Sequence, residues 1–154
     1  MNQHGGIIKV VDWSALNWLS VLFNTMEEFV RASTGGAIIS NLATKFNWKD
    51  PYTLDIQLHP DVYFQDGTKY DSDIAKLNFI EEKRWFAPHP PGTWLNFPDG
   101  SEVEIINEHN IIFHFTRPEG LALGKFRALH QANLLFWKYL GFGYRKLGSG
   151  EGHW

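Results

Sequence analysis

The sequence predicts an α+β chain in which short strands and hairpins pack with three helices. Three observations point there. Apolar and polar residues alternate from Tyr52 to Leu58, and Ile111, Phe113 and Phe115 fall at every second position up to Thr116, which marks half-buried strands. Apolar residues recur at spacings of three and four at Leu16, Leu19, Phe23, Met26 and Val30, the stripe of an amphipathic helix. The chain has 154 residues, 44% hydrophobic and 20% charged. That is enough for one domain with a real core and excludes wholesale disorder.

Taken in order, Ile7–Val11 is a β-branched run that reads as a buried strand. Asp12-Trp13-Ser14 turns the chain into a helix from Ala15 to Ala32, ended by Ser33-Thr34-Gly35-Gly36. Ala37 to Asn47 is short and mixed, and Trp48-Lys49-Asp50-Pro51 is a turn signal. After the strand Tyr52–Leu58, His59-Pro60-Asp61 breaks the pattern. Val62-Tyr63-Phe64 reads as a second short strand closed by Asp66-Gly67. Leu58 and Phe64 are expected to pack across this strand pair.

Asp71 or Ser72 can cap the next helix, which runs to about Trp85 and is stopped by Pro88, Pro90 and Pro91. Ala87 to Gly100 is a loop rich in Pro, Trp and Phe. Val103 and Ile105 start a hairpin that turns at Asn107–Asn110 and returns through Ile111, Phe113 and Phe115, ending at Arg117-Pro118. A long helix is expected from Leu121 to Leu140, with Phe126, Leu129, Asn133, Phe136, Trp137 and Leu140 along one face. Gly141 caps it, and the tail from there to Trp154 is rich in glycine.

The formal net charge is -3, which argues against a nucleic-acid partner. The absence of cysteine removes disulfides, thiolate metal sites and a cysteine nucleophile. No apolar run approaches the roughly 20 residues of a membrane helix. The start, Met1 to Gly6, lacks the basic and apolar regions of a signal peptide. An exported protein would carry its export signal outside this sequence.

Several patterns invite chemistry, and each has a plainer reading. The seven histidines, among them His59, His89, His109, His114, His130 and His153, are scattered one per segment with no HExxH pattern. Ordinary surface or partly buried histidines account for them. Gly148-Ser149-Gly150-Glu151-Gly152 has neither the Lys-Ser/Thr of a phosphate loop nor the strand–turn–helix context of a nucleophile elbow. The acidic pairs Glu27/Glu28 and Glu81/Glu82 fit solvated helix faces, and Asp71/Asp73 fit a helix N-terminus. Lys138, Arg145 and Lys146 make a small basic cluster suited to solubility. Trp13, Trp85 and Trp94 fall at element ends and in loops, where rings can line a groove. No nucleophile, base or metal constellation survives, so no enzyme and no cofactor is expected.

One stretch carries a resemblance. Asn41-Leu42-Ala43, Trp48, Tyr52-Thr53-Leu54-Asp55-Ile56-Gln57-Leu58 and Val62-Tyr63-Phe64-Gln65-Asp66-Gly67-Thr68 follow one another in an order and spacing that resemble the family 5 extracellular solute-binding proteins. These are the oligopeptide- and dipeptide-binding type that serve ABC importers. The sequence departs from the family pattern at Asp61, where glycine is usual, and at Asp71-Ser72-Asp73-Ile74, a shortened helix start. The loop through Pro90-Pro91-Gly92-Thr93-Trp94 is also unusually aromatic.

The resemblance implies a periplasmic-binding-protein-like α/β architecture of type II, with two lobes that close on a ligand. It makes this chain an N-terminal piece of such a protein. Residues 1–36 would be the opening strand and helix of the first lobe, 37–140 its small inserted subdomain, and 141–154 a truncated Gly-rich tail. It further implies ligand contacts at Asp12, Trp13, Ser14, Ala15, Leu16 and Asn17, and more loosely at Trp85 and Phe86. The ligand would be a peptide or similar small molecule, the partner a membrane permease, and the location periplasmic or extracellular. A nickel- or haem-binding relative, an intracellular regulator built on the same fold, and a stand-alone interaction domain are the alternatives. Surfaces meant for a missing lobe would favour self-association.

Overall fold

The structure is a computed structural model that describes residues 26–84 and 97–139. The expected strand Ile7–Val11, most of the first helix, most of the aromatic loop and the Gly-rich tail lie outside the described residues. The first described elements are β1 (Glu27–Glu28), β2 (Val30–Ala32) and β3 (Ile38–Ser40). They are followed by β4 (Ala43–Asp50), β5 (Thr53–Leu58) and helix α1 (Ser72–Arg84). Next come β6 (Glu102–Asn107), β7 (Asn110–His114), α2 (Ala122–Phe126), β8 (His130–Gln131) and α3 (Leu134–Tyr139). No helix among the described residues is long and apolar enough to cross a membrane.

The centre is a four-stranded antiparallel sheet of order β4-β5-β7-β6. Period-two alternation gives it two unlike faces. Leu54 and Ile56 sit opposite Phe113 and Ile111, and all four are fully buried. Asp55 and Glu104 flank Ile112 on the other face. Phe113 is the hub of the apolar side. Its ring lies 4.8 Å from that of Phe126, 5.2 Å from Phe79 and 6.2 Å from Phe29, mostly in edge-on contacts that suit aromatic quadrupoles. Thus α1, α2 and the segment at Phe29 close over one face of the sheet.

Helix α1 forms as expected, and the choice of cap is settled. The Asp71 carboxylate accepts the Ile74 backbone N–H at 2.9 Å, so Asp71 satisfies one of the free donors of the first turn. The hairpin β6–β7 also forms. Its turn is held by the Asn107 side chain, which accepts the His109 N–H at 2.9 Å.

Four expectations are corrected. The first helix does not extend to Ala32, because residues 27–32 hold β1 and β2. Glu28, Phe29 and Val30 are all fully buried. Three consecutive buried residues need contacts all round, which an extended strand between neighbours supplies and a half-exposed helix does not.

The mixed stretch Ala37–Asn47 contains β3 and most of β4. Its side chains are largely exposed, so it carries no apolar alternation to read, and β4 continues through the expected turn as far as Asp50. Val62–Phe64 is not a full strand; a lone bridge joins Tyr63 to Lys69. Leu58 pairs instead with Ala43, and Phe64 packs on Tyr70 at 6.0 Å. The long helix Leu121–Leu140 is broken into α2, β8 and α3. Leu129, His130, Gln131 and Ala132 are buried in succession, and β8 pairs with β1.

Candidate functional site

A cleft of about 590 Å³ opens between the hairpin at residues 62–70, the strand pair β1–β8 and helix α3. That volume falls within the range of small-molecule sites. Its floor is apolar, with Leu42, Val62, Phe64 and Tyr70, and its far wall is Leu135 and Phe136. Glu27, Asp66 and Asn133 stand at its polar edge.

The hairpin wall is built by Asp66-Gly67. Gly67 has φ of 85°, a left-handed conformation that glycine adopts without steric cost, and its N–H reaches the Phe64 carbonyl at 2.9 Å. Asp66 uses both carboxylate oxygens. One accepts the Thr68 N–H at 2.9 Å and the other accepts the Asn133 side-chain amide at 2.6 Å. The hydrogen bonds from Thr68 hold the Asp66 carboxyl below the usual aspartate range. Asn133 in turn accepts the Phe136 N–H at 2.9 Å and so caps α3. One residue therefore fixes two walls of the cleft.

Deeper in, the Tyr70 hydroxyl donates to Gln131 Oε1 at 3.1 Å, and Gln131 Nε2 donates to the Leu129 carbonyl. Burial raises Tyr70 well above its ordinary pKa, so it stays a neutral phenol. The cleft thus offers apolar enclosure with neutral and acidic hydrogen-bonding groups at its edge, an arrangement suited to holding a ligand.

Behind the cleft, β1 and β8 place Glu28 directly opposite His130. Arg31 Nε donates to Glu28 Oε2 at 3.1 Å, while His130 Nε2 lies 3.9 Å from Glu28 Oε1. Desolvation pushes the Glu28 carboxyl up, against the lowering pull of Arg31. Desolvation also pushes His130 down, from 6.5 to about 4. His130 is therefore a neutral imidazole at neutral pH, and the two side chains do not form a salt bridge. The Ala128 carbonyl 3.1 Å from Nδ1 assigns the ring proton to that nitrogen.

A pH signature follows. Between pH 6.5 and 4 the unfolded chain protonates His130 and the folded chain does not, so this residue's stabilising contribution is lost as pH falls. Glu28 acts in the opposite sense, since a raised carboxyl returns stability as pH falls through its folded value. In denaturant titrations the stability gap between the native chain and His130→Gln is expected to narrow by about 3 kcal/mol from pH 7 to pH 4. A gap that stays constant across that window refutes a neutral buried His130.

Asp12, Trp13, Ser14, Ala15, Leu16, Asn17, Trp85 and Phe86 all lie outside the described residues. The cleft is instead lined by residues that the sequence presents as turn or helix positions. Asp66 is legible as a turn former. Asn133 is hidden inside a helical pattern and Gln131 inside what reads as an unbroken amphipathic face. Among the described residues, no three His, Asp or Glu side chains gather to hold a metal. His114 is paired with Glu104 at 2.8 Å.

No family model and no curated protein sequence matches the chain. Solved structures do match. An ABC transporter substrate-binding protein from Sinorhizobium meliloti is 26% identical with a TM-score of 0.61, over 73% of this chain and 23% of that one. NikZ from Campylobacter jejuni, solved with Ni(L-His), is 20% identical with a TM-score of 0.62, over 77% of this chain and 24% of that one. MppA, a periplasmic murein tripeptide-binding protein in its unliganded open form, is 15% identical with a TM-score of 0.63, over 75% of this chain and 26% of that one.

The fold is thus the mixed α/β fold of periplasmic binding proteins. More narrowly, its structural neighbours are the family 5 solute-binding proteins of ABC importers, as the motif around Asp66-Gly67-Thr68 leads one to expect. The chain spans about a quarter of the length of these neighbours.

Proposed function

We propose that the chain is the opening part of an ABC importer's solute-binding component. Such a component takes peptides or similar small solutes by closing two lobes of a type II architecture and presents them to a membrane permease. The observation that carries this reading is the fold likeness. TM-scores of 0.61 to 0.63 extend over roughly three quarters of the chain, against an ABC transporter substrate-binding protein, a protein solved with Ni(L-His) and a periplasmic murein tripeptide-binding protein. In this reading residues 1–36 are the opening strand and helix of the first lobe, 37–140 its inserted subdomain and 141–154 a truncated Gly-rich tail. Asp12 to Asn17 face the ligand, with Trp85 and Phe86 near it. The protein works outside the cytoplasmic membrane, and binding, not catalysis, is its task.

The test extends the reading frame past the codon for Trp154 and upstream of Met1, then measures the longer protein by small-angle scattering. The probes are a defined tripeptide mixture and nickel–histidine. Compaction with the tripeptides, and its weakening by about tenfold in affinity on Trp13→Ala, is the expected result. Compaction with nickel–histidine alone moves the ligand class to metal complexes. A folded longer protein that neither binds nor compacts overturns the proposal.

A further inference from the structure

We infer that copies of this chain associate head to tail by joining the β4 edge of one sheet to the β6 edge of the next. Among the described residues neither edge has a strand on its outer side. The four strands alternate in direction, so β4 and β6 run opposite ways. A translated second copy therefore meets the first with its β4 antiparallel to β6, continuing the ladder without a break in alternation. Translation also keeps the faces matched, with the apolar side of one sheet running into the apolar side of the next.

Charge selects this pairing over the others. Lys45 and Lys49 of β4 project from the polar face, Lys49 reaching Asp55 at 3.4 Å. Glu102 and Glu104 of β6 project from the same face, opposite His114 and Ile112. Charged side chains on edge strands ordinarily deter pairing. Here they deter β4 from β4 and β6 from β6, because in β4 the two lysines outnumber the one acid, Asp50, while β6 carries only acids, and they attract β4 to β6. The antiparallel registers that keep the faces continuous set Lys45 opposite Glu104 or Lys49 opposite Glu102. On the apolar face they bring Trp48, which is 37% exposed at the rim of the sheet, up to the β6 edge of the neighbour. The contact is heterologous and does not close on itself, so it builds a run of copies with no fixed size.

Sedimentation equilibrium of the 154-residue chain tests this. The weight-average mass is expected to rise with concentration at low ionic strength and to fall toward the monomer as salt screens the edges. The edge reversals Lys45→Glu with Lys49→Glu, and Glu102→Lys with Glu104→Lys, each give a folded monomer by far-ultraviolet circular dichroism and sedimentation. Mixing the two variants restores association, because each then offers the edge that the other lacks. A native chain that stays monomeric, association that persists in both variants, or a mixture that stays monomeric overturns the inference.

Discussion

Asn78→Ala is expected to cost about 3–5 kcal/mol and lower the melting temperature by roughly 10 °C or more. Asn78 is fully buried on α1 and uses every hydrogen-bonding position of its amide. Nδ2 donates to the carbonyls of Ile74 and Ala132, both at 2.8 Å. Oδ1 accepts the Ala132 N–H and the Trp137 indole N–H, also at 2.8 Å. An alanine leaves three groups that belong to other elements buried and unmet, each worth about 1–3 kcal/mol.

The loss also has a structural direction. Ala132 follows β8 and Trp137 lies in α3, so the substitution unfastens the far wall of the cleft from α1. Asn78→Asp sharpens the test. It keeps the acceptors but turns a carboxylate toward two carbonyls in a buried site. Its folded pKa is raised, so the penalty is absent below the unfolded aspartate value of about 3.9 and grows as pH rises above it. Chemical denaturation across pH checks this. An Asn78→Ala loss under about 1 kcal/mol, or a pH-independent Asn78→Asp, shows that water replaces the amide and that α3 is not held through it.

What the sequence shows of this fold tracks how each segment is buried. β5 and the β6–β7 hairpin lie with one face in the core and one in solvent, and their alternation is plain in Leu54-Asp55-Ile56-Gln57-Leu58. Helix α1 is legible from its cap and from the prolines that follow it. Segments buried all round, or hardly at all, lose that signal. Glu28-Phe29-Val30 and Leu129-His130-Gln131-Ala132 are continuous buried runs that fit helical spacing by accident, and their strand pairing is a long-range contact across the chain. β4 is mostly exposed and reads as a mixed loop.

The cleft inherits the same limits. Asp66-Gly67 announces a turn. Asn78 and Asn133 carry only the weaker sign of a polar residue on an apolar helical stripe, where a buried amide must find partners. Part of the family motif, β5 and the turn at Asp66-Gly67, is also legible as a half-buried strand and a tight turn. The ligand-facing positions drawn from the resemblance gain no such internal check from periodicity.

Lys125→Met is expected to destabilise the chain by about 3–5 kcal/mol, more than its position after the central sheet suggests. Lys125 and Glu119 form an ion pair at 2.6 Å with side chains only 5% and 7% exposed. Glu119 Oε1 also accepts the Leu121 N–H at 3.3 Å, and the Glu119 N–H reaches back to the Pro51 carbonyl at 3.2 Å. The lysine nitrogen lies 5.5 Å from the centre of the Phe97 ring. The pair therefore clips α2 to the turn between β4 and β5 at the edge of the aromatic core. Removing the cation alone leaves the buried Glu119 carboxylate without its partner, and that uncompensated charge is the source of the loss. Removing both charges does not leave it. The double variant Glu119→Leu with Lys125→Met is expected to recover most of the stability, because apolar side chains of similar size replace a pair whose desolvation nearly offsets its attraction. A double-mutant cycle measured by urea denaturation yields a coupling of about 2–4 kcal/mol if this is right. Additive losses, with the double variant weaker than either single one, would instead make the two side chains important for packing along their stems and not for their charges.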